Sequence, residues 1–201
     1  MVPVCVVGDK ILQWLVDIDE GACARVAAAG CGWCSGPLHR SDYPRKPRGG
    51  LLAVGGEVFT RRLSLCCGWE GCRRRATPPS VRYLGRRVYL GAAVILGSIA
   101  AQALTTAREV KRATGIPART VARWRQWWHT RFADGPFFEA QRGLFVPPLV
   151  ISDLPCSLVE RFDGTGRARR DWATALVHTL SFLSPLTTAS VTDGSRFVRV
   201  R

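Results

Sequence analysis

Cys31-Gly-Trp-Cys34 and Cys67-Gly-Trp-Glu-Gly-Cys72, the second running straight into Arg73-Arg74-Arg75, decide how this chain folds. Each pair can sit on one tight turn and supply two sulfurs, as a tetrahedral metal requires. The segment between them must then return the chain so that the two turns face each other. Two such pairs are a far stronger signal than a lone Cys-x2-Cys. They predict a small β module stapled by structural Zn2+, with Cys31, Cys34, Cys67 and Cys72 as ligands. Cys66 adjoins Cys67 and stays open as the alternative, although five residues separate it from Cys72 where ligand pairs span two to four. Strand parity favours Cys67, which shares a strand face with Phe59, Leu63 and Leu65. His39, near the first pair, is a further candidate and reads as facing phosphate or solvent. Cys5, Cys23 and Cys156 stand alone and read as small buried hydrophobes.

The module is loaded with charge. From Arg40 to Arg87 twelve basic residues face only Asp42, Glu57 and Glu70, a net of +9 within a chain of net +14. Of the 29 basic residues in the chain 26 are arginine, whose guanidinium binds phosphate and guanine bidentately. Such a balance favours a polyanionic partner. The run Pro44-Arg-Lys-Pro-Arg-Gly-Gly50 cannot be helical and reads as an extended arm suited to a narrow minor groove. Arg45, Lys46 and Arg48 on that arm, and Arg73, Arg74 and Arg75 after the last cysteine, are the candidate phosphate contacts. Residues 57–67 alternate as one strand that delivers a cysteine at its end, and Thr77-Pro78-Pro79 closes the module.

Beyond residue 80 the pattern turns helical. Ala107-Arg-Glu-Val-Lys-Arg-Ala-Thr-Gly-Ile-Pro-Ala-Arg-Thr-Val-Ala-Arg-Trp124 has the grammar of a helix-turn-helix. Val110, Ile116, Val121 and Trp124 face inward, Gly115 makes the left-handed turn, and Pro117 opens the second helix. Arg119, Thr120 and Arg123, with Gln126 behind them, are then presented to a major groove. Lys111 departs from the pattern, because a small residue usually stands there to let the helices approach. Trp127, Trp128 and Phe132 read as core. Residues 88–107 carry no charge and have the length of a membrane span. Their alanines, glycines and Gln102, with arginine on both flanks, favour a buried helix instead.

The flanks say less. Residues 1–30 predict a short lead-in helix stopped at Gly21. Residues 133–155 are a Gly/Pro-punctuated connector, Trp172 to Leu183 an amphipathic helix, and 196–201 a short strand or basic tail. No secretory signal opens the chain, so reduced, intracellular, cytoplasmic thiols are expected rather than a disulfide framework.

The order of cysteine module, basic segment and helix-turn-helix resembles the DNA-binding N-terminal region of bacterial insertion-sequence transposases. The likeness rests on Cys67-x4-Cys72, the arginines after it and Thr77, followed by the motif at 107–124, and covers roughly residues 28–132. It implies double-stranded DNA as the partner, with a homodimer or another mobile-element protein beside it. Such transposases carry a later domain with three metal-binding carboxylates. Here Asp134, Glu139, Asp153, Glu160, Asp163, Asp171 and Asp193 lie in turns without strand context, so catalysis is not expected. Four thiolates would also close the zinc site to water. The expected class is α+β: a lead-in helix (1–30), a basic zinc ribbon (31–80), a helix-turn-helix domain (81–132) and a helical region without assigned role (133–201).

Overall fold

A computed structural model describes residues 8–45, 57–84, 89–163 and 171–188. Lys46 and Arg48 of the expected arm, Cys5, and the tail strand at 196–201 lie outside them. The described residues form an α+β structure of small antiparallel sheets and several helices.

Helix α1 spans Asp9–Ala29 and runs straight through Gly21 to end at Gly30, whose φ is +75°. The expected stop fails for a packing reason. Ile11, Leu12, Leu15, Asp19, Ala22 and Cys23 make one buried stripe at helical spacing. Burying Ala22 and Cys23 offsets the roughly 1 kcal/mol that a mid-helix glycine costs.

Strands β1 (Leu38–Arg40), β4 (Leu65–Cys67) and β5 (Arg75–Ala76) form an antiparallel sheet in the order β1-β4-β5. Leu38 pairs with Cys67 and Cys66 with Arg75. Strands β2 (Tyr43–Pro44) and β3 (Arg61–Arg62) make a separate ladder. The single strand expected over 57–67 is therefore corrected to a 3-10 turn at Glu57–Thr60 followed by two short strands. Arg62, Leu63, Ser64 and Leu65 are all buried, so alternation breaks where the chain leaves one ladder for the other. Asp42 Oδ1 accepts the Ser64 N–H at 3.1 Å and pins that crossing.

A hairpin of β6 (Tyr83–Leu84) and β7 (Tyr89–Leu90) leads into α2 (Gly91–Gln102). That helix is buried on nearly every side, as its lack of charge foretold, and packs against α3 (Ala107–Thr114), α4 (Ala118–Trp127), the hairpin and α7 (Trp172–Leu183). Among the described residues no helix is long and apolar enough to cross a membrane. After α4 one π-helical turn, Trp128–Phe132, leads to α5 (Pro136–Gln141) and α6 (Cys156–Phe162), which packs on α7.

One hydrophobic core runs from Ile11, Leu12 and Leu15 of α1 through α2 and α4 to Leu183. Trp128 and Phe132 lie inside it and Trp127 at its edge. The cysteine-bearing sheet has only a small core of its own, Cys23, Leu63 and Leu65, closed over by Val26 and Ala27 of α1. Helix α1 is thus the strut between sheet and helical core.

Candidate metal centre

Cys31, Cys34, Cys67 and Cys72 converge, with all four sulfurs within 4.8 Å of one another. Cys31 Sγ lies 3.7 Å from Cys72 Sγ, and Cys34 Sγ lies 3.4 Å from Cys67 Sγ. Local chain chemistry places them. The Ser35 N–H donates to the Cys31 carbonyl at 2.8 Å, and the N–H groups of Cys72 and Arg73 donate to the Trp69 carbonyl at 3.0 Å. In each turn the residue after the second cysteine is left-handed: Ser35 at φ 57° and Arg73 at φ 46°. The two turns are tied by the Gly68 N–H, which donates to the Pro37 carbonyl at 2.9 Å. Cys67, not Cys66, therefore belongs to the cluster. The Cys66 sulfur turns away to the Arg73 carbonyl at 3.4 Å. His39 is also outside, its ring against Gly68 so closely that a Cβ there would stand 2.5 Å from Nε2.

The electrostatics of the quartet are uneven. The Cys31 thiol is pulled down to about 6, first by the backbone N–H groups of Trp33 and Cys34. The Cys34 thiol accepts the Gly36 N–H, which lowers it, yet desolvation and the three neighbouring thiols push it up to about 12. Cys67 is likewise raised overall, although the Trp69 N–H acts in the opposite sense. Such a cluster resists carrying four negative charges alone, and a divalent cation among the sulfurs removes that penalty. The donor set thus fits a thiolate-bound metal. All seven described cysteines are free thiols. Cys23 is buried in the small core, its thiol raised by desolvation, and Cys156 is half-buried.

The basic residues of this module divide into two groups. Arg40 makes a bidentate pair with Glu20 at 2.7 Å and also bonds Asp42 at 2.8 Å. Arg62 is buried and donates to the Pro78 carbonyl, and Arg82 is buried against Asp19 at 2.7 Å. Arg75 reaches the Ser41 carbonyl at 3.0 Å and Ser64 Oγ at 3.2 Å. These four hold the fold together, so the phosphate-facing charge is smaller than the raw count. Arg45 lies over the Tyr43 ring and bonds its hydroxyl at 3.1 Å. Arg73 and Arg74 are exposed, and Arg74 stacks on the Trp33 ring at 3.7 Å.

On the helical side α3 and α4 are joined by Gly115, Ile116 and Pro117, with Gly115 at φ 69° as the turn demands. Thr106 and Glu109 form a reciprocal capping box at the start of α3. Val110, Ile116, Val121 and Trp124 are buried as expected. Arg119 and Arg123 are exposed and Thr120 is half-exposed, its hydroxyl 3.4 Å from Arg123. Lys111 is exposed and takes no part in the helix crossing. A close approach is made elsewhere, between α2 and α4 at Gly97, where a Cβ would stand 3.2 Å from the Trp124 ring.

Trp33 and Trp69, absent from the expected contacts, stand exposed on the two cysteine turns. The Cys-Gly-Trp triplet shared by both pairs was the available signal. The described residues thus make an α+β molecule with a four-cysteine centre able to hold a metal. No family model, no curated protein and no solved structure matches the chain.

Proposed function

We propose that this chain is a zinc-stabilised protein that binds double-stranded DNA through its cysteine module and through a helix-turn-helix formed by α3 and α4. The observation that carries the reading is the α3-Gly115-α4 unit. One face of α4 is sealed on the core by Val121 and Trp124, and the opposite face offers Arg119, Thr120 and Arg123. A helix so mounted fits the major groove, where arginine reads guanine bidentately. Zinc is the metal proposed. Tetrahedral bonds of about 2.3 Å put thiolate sulfurs about 3.8 Å apart, close to the 3.7 and 3.4 Å separations of the two bonded pairs. With four thiolates the ion is structural. Arg45, Arg73 and Arg74 would supply phosphate contacts. The resemblance to insertion-sequence transposases points to a mobile-element regulator or accessory factor.

A truncated or divergent transposase-nuclease and an RNA-binding zinc ribbon are the rival readings, and one observation bears on the first. Ligand atoms of Asp153, Cys156 and Glu160 come within 4.8 Å of one another. A thiol is a poor partner for magnesium, which prefers oxygen, so the trio does not recommend itself as a strand-cleaving centre.

Selection from random duplexes followed by anisotropy titration tests the proposal. Affinity for the selected duplex should fall steeply with salt. Arg119→Ala and Arg123→Ala should each weaken it by about 1–3 kcal/mol and relax one position of the site. Salt-independent binding, or magnesium-dependent cleavage of the duplex, defeats the reading.

A further inference from the structure

Trp33 and Trp69 occupy equivalent places, each two residues after the first cysteine of its pair, on turns that the sulfur cluster holds together. They are 70% and 57% exposed, and neither joins the small core of the sheet. Both rings are nonetheless held in place. The Arg74 guanidinium lies 3.7 Å from the centroid of Trp33. The Trp69 ring lies against Gly36, where a Cβ would stand 3.2 Å from two of its atoms. A large apolar ring kept rigid and wet does nothing for the sheet beneath it, and its free face suits another flat π-system.

We propose that the two cysteine turns form a stacking surface for unpaired nucleobases of a single-stranded nucleic acid. Trp33 and Trp69 receive the bases, and Arg74 holds the adjoining phosphate. A guanidinium over an indole face can still offer N–H groups to a phosphate oxygen, so one side chain serves ring and backbone together. Exposed Arg73 adds positive charge beside it, and Glu70, also exposed, is the opposing charge on the same turn. Bases in an intact duplex are closed to such rings, since both their faces are already stacked. This surface therefore takes a different nucleic-acid state from the one assigned to α4, and the two share only Arg73 and Arg74 as phosphate contacts.

The test uses the full metal-bound chain with oligo-dT and oligo-rU probes carrying one 5-iodouracil, and a duplex arm in parallel. Photocrosslinks should map to Trp33 or Trp69 of the unmodified protein. Trp33→Leu and Trp69→Leu should each weaken single-strand binding about 5- to 100-fold and leave duplex affinity nearly unchanged. Trp33→Phe should retain most of the binding. The two probes tell whether the strand is DNA, RNA or either. Crosslinks at neither tryptophan overturn the proposal, as does an unweakened Trp33→Leu/Trp69→Leu double variant. An equal loss on duplex and single strand would also overturn it, by making the tryptophans merely structural.

Discussion

Asp19 and Arg82 are each about 1% exposed, and their charges meet at 2.7 Å. Both oxygens of the carboxylate are used. Oδ2 takes the Ser80 hydroxyl at 2.5 Å and the Arg82 Nε–H, while Oδ1 takes the Val81 N–H at 2.7 Å. Removing one partner strands a charge away from water, whereas removing both leaves an apolar gap that is much cheaper. Asp19→Ala should therefore lower the unfolding free energy by about 3–5 kcal/mol in urea titration, and Asp19→Ala/Arg82→Met should recover a good part of it. A loss under about 1 kcal/mol would mean that water reaches the pair. This pair was not legible in the sequence. Its members stand 63 residues apart, and Arg82 was counted with the basic segment. Arg62 misled in the same way, because a guanidinium facing a buried carbonyl looks, in one dimension, like any surface arginine. The choice of Cys67 over Cys66 agrees with the cluster, although of the residues whose parity suggested it only Leu65 lies on one strand with Cys67.

At the scale of elements, the start of α3 shows how local chemistry becomes measurable stability. The Thr106 hydroxyl accepts the Glu109 N–H at 3.2 Å, and the Glu109 carboxylate accepts the Thr106 N–H at 3.0 Å. The Thr106 bonds hold the Glu109 carboxyl below its ordinary 4.5. The folded value is thus lower than the unfolded one. The carboxylate's contribution is complete above about pH 4.5 and fades as acid takes the pH down through the depressed folded value. Thr106→Ala should cost about 1 kcal/mol at neutral pH. Thermal midpoints followed into acid should fall less for Glu109→Gln than for the natural chain, and identical acid profiles would show the cap to be idle. The turn that follows was readable from Gly115 and Pro117 alone, since a left-handed residue and an opening proline are local requirements. Position 111 was not. The small residue that admits Trp124 sits on α2 at Gly97, which sequence spacing within the motif cannot reveal. The strand over 57–67 failed similarly, because the change of ladder at Leu63 and Ser64 depends on where β1 and β2 run.

At the scale of the molecule, two cores of very different size share one helix. The large core holds most of the buried apolar side chains, from Ile11 to Leu183, and includes none of the four clustered cysteines. The cysteine-bearing sheet rests on a small cluster of Leu63, Leu65 and Cys23 of α1, with strands of two or three residues. Strands so short are not stable by themselves, so an ion held between the two turns would supply much of the sheet's folding energy. Cys66→Ser should keep about one metal per chain, and Cys67→Ser should lose it, because only Cys67 points at the other three thiols. Chelation should then melt the sheet without dissolving the helices. The near-ultraviolet signal of Trp33 and Trp69 should collapse, while helical circular dichroism falls only by the last turns of α1, which rest on Leu63 and Leu65 through Val26 and Ala27. Asp19 lies between these halves of α1 and is gripped by the Ser80–Arg82 segment, so unfolding should halt near it. Heating the chelated chain should still give a cooperative helical transition, and adding metal back should restore the tryptophan signal. Loss of the whole helical signal on chelation would instead make sheet and core one cooperative unit, with α1 transmitting the metal's binding energy to the far end of the molecule.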